Sequence, residues 1–142
     1  MRRLTTSIIL AVLAALTLSS IDSKACSNVL VTKGASADGS NMISYAADSH
    51  LLYGELYFRK AAAWKPGDMR RVDDWDSGKH LGYIPEIANT YQRVGNMNEH
   101  QLIIAETTYG GRPELEDPKG IMDYGSLIYI ALERAKTARE AI

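Results

Sequence analysis

The feature that most constrains this chain is the boundary between Ala25 and Cys26, where an apolar leader ends at the only cysteine in the sequence. Two arginines follow the initiator methionine, and the apolar run over residues 7–18 is shorter than the roughly 20 residues that span a bilayer. Ser23 and Ala25 occupy the third and first positions before Cys26, which is the small-residue pattern of a signal-peptide cleavage site. The pattern predicts a signal peptide over residues 1–25 and an exported mature chain.

The same cysteine also admits a lipoprotein signal, in which its sulfur carries diacylglycerol and anchors the chain. Such signals usually have leucine three residues before the cysteine, whereas this chain has Ser23 there and the charged Lys24 next to it. An exported chain with one cysteine cannot form an internal disulfide. Two functions therefore stay open at this point: an enzyme that begins with Cys26, and a lipid-anchored surface module without catalysis.

Composition limits the fold and the partners. Hydrophobic residues make up 46% of the 142 residues and charged residues 23%, which is typical of a globular chain. The net charge of −1 gives no electrostatic reason to expect binding to nucleic acid or to an acidic membrane surface. The residues after the leader, 26–142, suffice for one domain, and we expect no membrane association once the leader is removed.

A β-hairpin is predicted directly after the leader. Strand-like residues follow Cys26, the Asp38-Gly39 pair favours a tight turn, and residues 41–47 form a second strand. If the hairpin closes near Ala37, the numbers of paired residues sum to about 74. That register places Cys26 opposite roughly Asp48, give or take a bulge, so a carboxylate is expected beside the thiol.

Further along the chain, strands are predicted over residues 51–59 and 101–105, with an irregular connector over 83–90 and a surface loop over 112–120. Acidic residues are dense in the segment 69–76, but no histidine stands at ligand spacing. We therefore expect an exposed strand end with solvated charges there, and no metal or cofactor. Asn98 and Glu99 are expected to cap a turn.

The last segment has a helical pattern. Asp123 is a suitable N-cap, and no glycine, proline or cap ends the pattern, so the helix is predicted to start near Tyr124 and to be still running at Ile142. Glu133 and Lys136 are expected on the outer side. Tyr124 and Tyr129 are expected to be packing residues. The residues at helical spacing on the apolar side are Leu127, Ile130, Ala131 and Ala135.

Three stretches together carry a resemblance to a known family: residues 26–49 (CSNVLVTKGASADGSNMISYAADS), 95–111 (GNMNEHQLIIAETTYGG) and 122–142 (MDYGSLIYIALERAKTAREAI). They resemble the dipeptidases of peptidase family C69, relatives of the secernins within the N-terminal nucleophile hydrolase superfamily. The resemblance implies an α+β fold, the αββα sandwich of that superfamily. It also implies longer chains, so residues 26–142 are expected to be the amino-terminal portion of the domain.

The resemblance also implies an activity and its residues. Cys26 corresponds to the catalytic nucleophile, and Asp48 to the carboxylate that orients the terminal amine. Two positions depart from the superfamily pattern: Tyr45 stands where arginine is common, and Thr108 where asparagine is common. The implied reaction is hydrolysis of dipeptides or small peptides, with the Cys26 sulfur as nucleophile and its own α-amine as proton carrier, without a cofactor.

Overall fold

A computed structural model of the chain describes residues 26–47, 54–107 and 111–142. These residues form short antiparallel strands followed by helices, so the α+β class is confirmed. No helix in the three ranges is long and apolar enough to cross a membrane. The elements are β1 (Ser27–Val31), β2 (Met42–Ala46), β3 (Phe58–Arg59), β4 (Ala62–Ala63), β5 (Met69–Asp73), β6 (His80–Pro85), β7 (Asn89–Thr90), β8 (Arg93–Val94), β9 (Met97–Asn98), a 3-10 turn (Pro113–Leu115), α1 (Tyr124–Arg134) and α2 (Ala138–Ala141).

The predicted amino-terminal hairpin is confirmed, with a register that differs by one residue. β1 and β2 pair antiparallel, and Asn28 lies opposite Tyr45. The numbers of paired residues sum to 73, compared with the predicted value of about 74. Asp48, the residue predicted to face Cys26, lies outside the described residues.

Aspartates close both of the longer hairpins. The Asp38 carboxylate accepts hydrogen bonds from the main-chain N–H and the hydroxyl of Ser40, at 3.0 and 2.6 Å. In the β5–β6 hairpin, Asp74 accepts the same pair of hydrogen bonds from Ser77, at 2.8 and 2.5 Å. These hydrogen bonds hold the pKa of each aspartate below its usual value. Gly39, with φ of 77°, supplies the left-handed conformation that the first turn needs.

The β5–β6 ladder shows that the predicted connector over residues 83–90 is wrong. Residues 83–85 complete β6, and residues 89–90 form β7, which pairs with β4. The ladder contains a bulge between Val72 and Asp73. Pro85 ends the strand opposite Met69, a position at which proline disturbs a ladder least.

The two other predicted strands are shortened or absent. In the described part of the segment 51–59, only Phe58–Arg59 forms a strand. Residues 101–105 form no strand beyond a single bridge between Ile103 and Met97. Asn98 supplies the physical reason, because its side-chain oxygen accepts hydrogen bonds from the main-chain N–H groups of residues 100 and 102, at 3.0 and 3.1 Å. These bonds curl the segment into a turn.

The start of α1 is as predicted, but its end is not. The Asp123 carboxylate caps the helix by accepting the main-chain N–H of Ser126 at 2.8 Å. The helix ends at Arg134, and Thr137 and Glu140 form a capping box that starts the separate helix α2. The Asn98 amide donates to the carbonyls of residues 132 and 135, both at 2.7 Å, and so satisfies acceptors that a continuing helix would use.

The core lies between α1 and the segment around Leu102, and it is lined by a different stripe of the helix from the predicted one. Leu127 is 57% exposed, whereas Ile130 and Ala135 are buried as expected. Glu133, predicted on the outer side, is fully buried. The buried core cluster consists of Leu102, Ile128, Tyr129, Leu132 and Ala135, with Trp75 packed against it.

Trp75 packs so closely on α1 that we expect Gly125→Ala to destabilise the protein. A β-carbon at Gly125 would lie 2.6 Å from Trp75 Cγ and 2.8 Å from Trp75 Cβ. Overpacking of this kind costs about 1–3 kcal/mol, which exceeds the gain of about 1 kcal/mol from the better helix propensity of alanine. Urea denaturation measures the change. Gly34→Ala is the control, because among the described residues, apart from its chain neighbours, no atom lies within 4 Å of the added methyl group. An equal shift in both variants would contradict the packing argument.

Candidate active site

Cys26 directly precedes β1 and is half-buried. Its Sγ donates a hydrogen bond to Glu106 Oε1, with 3.3 Å between the two atoms. The two residues are 80 positions apart in the chain. A thiol and a carboxylate are thus brought together at the end of the amino-terminal hairpin.

One residue of the hairpin, Asn28, holds the Glu106 main chain in place, and a second, Tyr45, is influenced by the charge of Glu106. The Asn28 side-chain amide donates a hydrogen bond to the Glu106 main-chain oxygen. Because alternate residues of a strand share a face, Asn28 lies on the same side of the hairpin as Cys26, and Tyr45 lies directly opposite Asn28. Burial raises the pKa of Tyr45 well above its usual value, and the charge of Glu106 and a hydrogen bond to it add to the effect. Tyr45 is therefore a neutral hydroxyl at physiological pH.

The segment that carries Glu106 is also fixed from its other side. Two hydrogen bonds join Asn96, in the turn between β8 and β9, to Ile104: Ile104 N–H to Asn96 O at 3.1 Å, and Asn96 Nδ2 to Ile104 O at 2.7 Å. Leu102, further back in the segment, is buried in the core. Glu106 therefore projects from a segment tied to both the core and the hairpin.

A second polar pair lies at the start of α1. The Tyr124 hydroxyl donates to Asp76 Oδ1 at 2.8 Å. Burial raises the pKa of Tyr124, and the hydrogen bond to Asp76 raises it further, with smaller effects from the charges of Glu106 and Tyr45. Tyr124 is thus a hydrogen-bonding residue and is 41% exposed, whereas the sequence predicted a packing role. Tyr129 is buried against Trp75 as predicted.

A separate charged cluster surrounds Glu133. Its carboxylate forms ion pairs with Arg70, with Arg93 at 2.8 Å and with Arg59 at 3.4 Å. Arg93 also lies over the Tyr129 ring, 3.9 Å from its centroid. The prediction of solvated charges over residues 69–76 is therefore wrong for Arg70, which is turned inward. A cavity of about 270 Å³ adjoins this cluster, and its lining does not include Cys26.

Two positions of the predicted site are not among the described residues. Asp48 and Thr108 lie outside the described residues, so the role of Asp48 stays a prediction. Within the described ranges, no group of three or more histidine, cysteine or acidic side chains could hold a metal ion. Sequence reasoning missed Glu106, although one signal was available: it is a carboxylate that directly follows an apolar run.

The arrangement offers three groups for chemistry on a small molecule. The Cys26 sulfur can act as a nucleophile, the Glu106 carboxylate can accept a proton or bind a cation, and the Tyr45 hydroxyl can donate a hydrogen bond. All three lie at the open end of the β1–β2 hairpin, where Cys26 and Glu106 are only partly buried.

A comparison with protein families matches residues 65–142 to the family described as Peptidase family C69. The match covers more than half of the chain and includes Glu106 and α1, whereas Cys26 and the β1–β2 hairpin precede it. No curated protein and no solved structure shows significant similarity to the chain.

Proposed function

The chain belongs to peptidase family C69, and from that premise we propose that it is a cysteine-type dipeptidase with Cys26 as its nucleophile. The observation that carries the proposal is the contact between Cys26 Sγ and Glu106 Oε1. This hydrogen bond connects the only cysteine of the chain with Glu106, which lies within residues 65–142, the segment that matches the family. The substrate is a dipeptide or small peptide, and no cofactor takes part.

The proposed reaction needs an unblocked α-amine on Cys26. The sulfur attacks the carbonyl carbon of the scissile amide, and the thiol proton passes to this amine. The tetrahedral intermediate breaks its C–N bond, and the leaving amine takes up that proton. Water then attacks the resulting thioester, which releases the carboxylic acid and restores the thiol. Asp48 is proposed to orient the amine.

The fold that goes with this function is the αββα sandwich of N-terminal nucleophile hydrolases. Support comes from the antiparallel β1–β2 hairpin with Cys26 at its end, and from α1, which packs beside the short strands β7 and β9. We propose that residues 26–142 form the amino-terminal portion of that domain. Export follows from the same proposal, because removal of residues 1–25 as a signal peptide is the step that exposes Cys26.

Mass spectrometry of the exported protein tests the first requirement. We expect a mature amino terminus at Cys26 without modification, and full dipeptidase activity in the processed protein. Ala25→Leu places a large residue next to the cleavage point, so the leader should be retained and hydrolysis lost. Ser23→Ala keeps a small residue and is the matched control, in which normal processing is expected.

Two results of this experiment would reject the proposal. A diacylglycerol adduct on Cys26 would instead support the lipid-anchored surface module. A mature terminus at any other residue would leave the reaction without its proton carrier.

A further inference from the structure

We propose that Glu106 and Asn28 form the subsite that binds the α-ammonium group of the substrate, so that the enzyme selects peptides with an unblocked amino terminus. This inference rests on the proposed dipeptidase function and adds a determinant of specificity to it. In this proposal Glu106 binds the substrate. It takes no part in the proton transfer described above, which uses the α-amine of Cys26.

The first support is a pair of acceptors, one beside the sulfur and one on Asn28, the residue that holds the Glu106 main chain. Glu106 Oε1 lies 3.3 Å from Cys26 Sγ. The side-chain oxygen of Asn28 is buried and has no hydrogen-bond partner among the described residues. Its amide nitrogen already donates to the Glu106 main-chain oxygen, which fixes the orientation of the Asn28 side chain. A buried acceptor without a donor is costly, and an ammonium group with three N–H donors would satisfy it together with the carboxylate.

The second support is charge balance. In the described part of the chain, Glu106 forms no ion pair with an arginine, lysine or histidine within 4.0 Å. The hydrogen bond to its carboxylate comes from the Cys26 thiol. Glu133 provides the contrast, since three arginines surround it. Glu133 is compensated within the fold, whereas Glu106 has no side-chain cation among the described residues. Because the Cys26 α-amine is neutral until it accepts the thiol proton, Glu106 can take a cation from a ligand.

The third support is the geometry of a dipeptide. Its α-nitrogen and scissile carbonyl carbon are joined through one Cα atom and lie about 2.5 Å apart. An attacking sulfur approaches that carbon to about 3–3.5 Å. The ammonium of a productively bound dipeptide is therefore within a few ångströms of the sulfur, where a carboxylate 3.3 Å from Sγ can bind it. An amino group blocked by acylation has neither the charge nor the donors for this contact.

The test compares two substrates of the processed protein, whose first residue is Cys26. L-alanyl-L-alanine has the ammonium group, and propionyl-L-alanine is the same molecule with hydrogen in its place. We expect the wild-type kcat/KM to favour the dipeptide by about 100-fold. Glu106→Gln should lower kcat/KM for the dipeptide by about 10–100-fold, the range for loss of one charge-assisted hydrogen bond, mainly through KM. Its effect on propionyl-L-alanine should stay within about twofold.

Glu116→Gln, in the exposed loop after the 3-10 turn, is the matched control for removal of a negative charge. It should leave both substrates unchanged. Equal losses of kcat/KM for the two substrates in Glu106→Gln would overturn the inference. They would mean that Glu106 acts on the Cys26 thiol or its proton and does not bind the ammonium group of the substrate.

A binding experiment separates this inference from the proposed function. Calorimetric titration of the Cys26→Ala variant measures affinity without turnover. We expect it to bind L-alanyl-L-alanine more tightly than propionyl-L-alanine, and the added Glu106→Gln substitution should weaken dipeptide binding about tenfold or more. Lack of preference for the dipeptide would overturn the subsite whether or not hydrolysis occurs. Selective binding without hydrolysis in the wild type would instead reject the dipeptidase proposal.

Discussion

Replacement of Cys26 by alanine is expected to lower kcat/KM for dipeptides by at least about 10⁴-fold, which is the scale of loss when a covalent nucleophile is removed. Alanine leaves the α-amine, Glu106 and the hairpin in place but removes the atom that forms the thioester. Stopped or coupled assays of dipeptide hydrolysis on the processed protein measure the loss. Activity within tenfold of the wild type in the alanine variant would exclude Cys26 as the nucleophile.

Cys26→Ser is the informative companion variant. Serine keeps a nucleophilic oxygen and the amine on the same residue, so a small residual activity is compatible with the proposed chemistry. Stability should change little in either variant, because Cys26 is only half-buried and its substitution removes or exchanges one atom. Equal denaturation midpoints would show that lost activity reflects lost chemistry and not loss of folding.

Glu133→Gln is expected to destabilise the protein by about 3–5 kcal/mol, the cost of removing one partner from a buried ion pair. The Glu133 side chain has no exposed surface, and those of Arg70 and Arg93 are only 12% and 9% exposed. Glutamine keeps the shape but removes the negative charge, so the arginines remain buried without compensation. The urea denaturation midpoint and slope give the change in unfolding free energy.

The control for Glu133→Gln is again Glu116→Gln, since an exposed glutamate should contribute less than about 0.5 kcal/mol. The large effect should persist at 0.5 M salt, because buried pairs are screened far less than surface pairs. A loss below about 1 kcal/mol in Glu133→Gln would mean that the cluster does not hold α1 against β5 and β8. Such a result would contradict the structural role assigned to it.

Features that depend on neighbouring residues could be predicted from the sequence. The β1–β2 hairpin follows from strand-forming residues on both sides of Asp38-Gly39, and the start of α1 follows from Asp123 three residues before the N–H that it caps. The register was predicted one residue away from the observed one, because the exact closing positions of the turn cannot be read from its composition.

Features that depend on distant partners could not be predicted in the same way. The helix pattern had no visible stop, because the side chain that terminates α1 belongs to Asn98, more than thirty residues earlier. Glu133 was predicted to face solvent because a charged residue normally does, and three arginines from separate strands reverse that expectation. Residues 101–105 have strand-forming composition, but the hydrogen bonds of Asn98 impose a turn.

The sequence by itself determined the family relationship, the hairpin that follows the leader, and Cys26 as the candidate nucleophile, because each depends on short motifs or on residues close together in the chain. Only the tertiary structure revealed that Glu106 lies beside the sulfur. Glu106 is 80 residues from Cys26, and no local pattern specifies a contact across that distance. Folding alone brings the two together, through hydrogen bonds from Asn28 and Asn96 to the segment that carries Glu106.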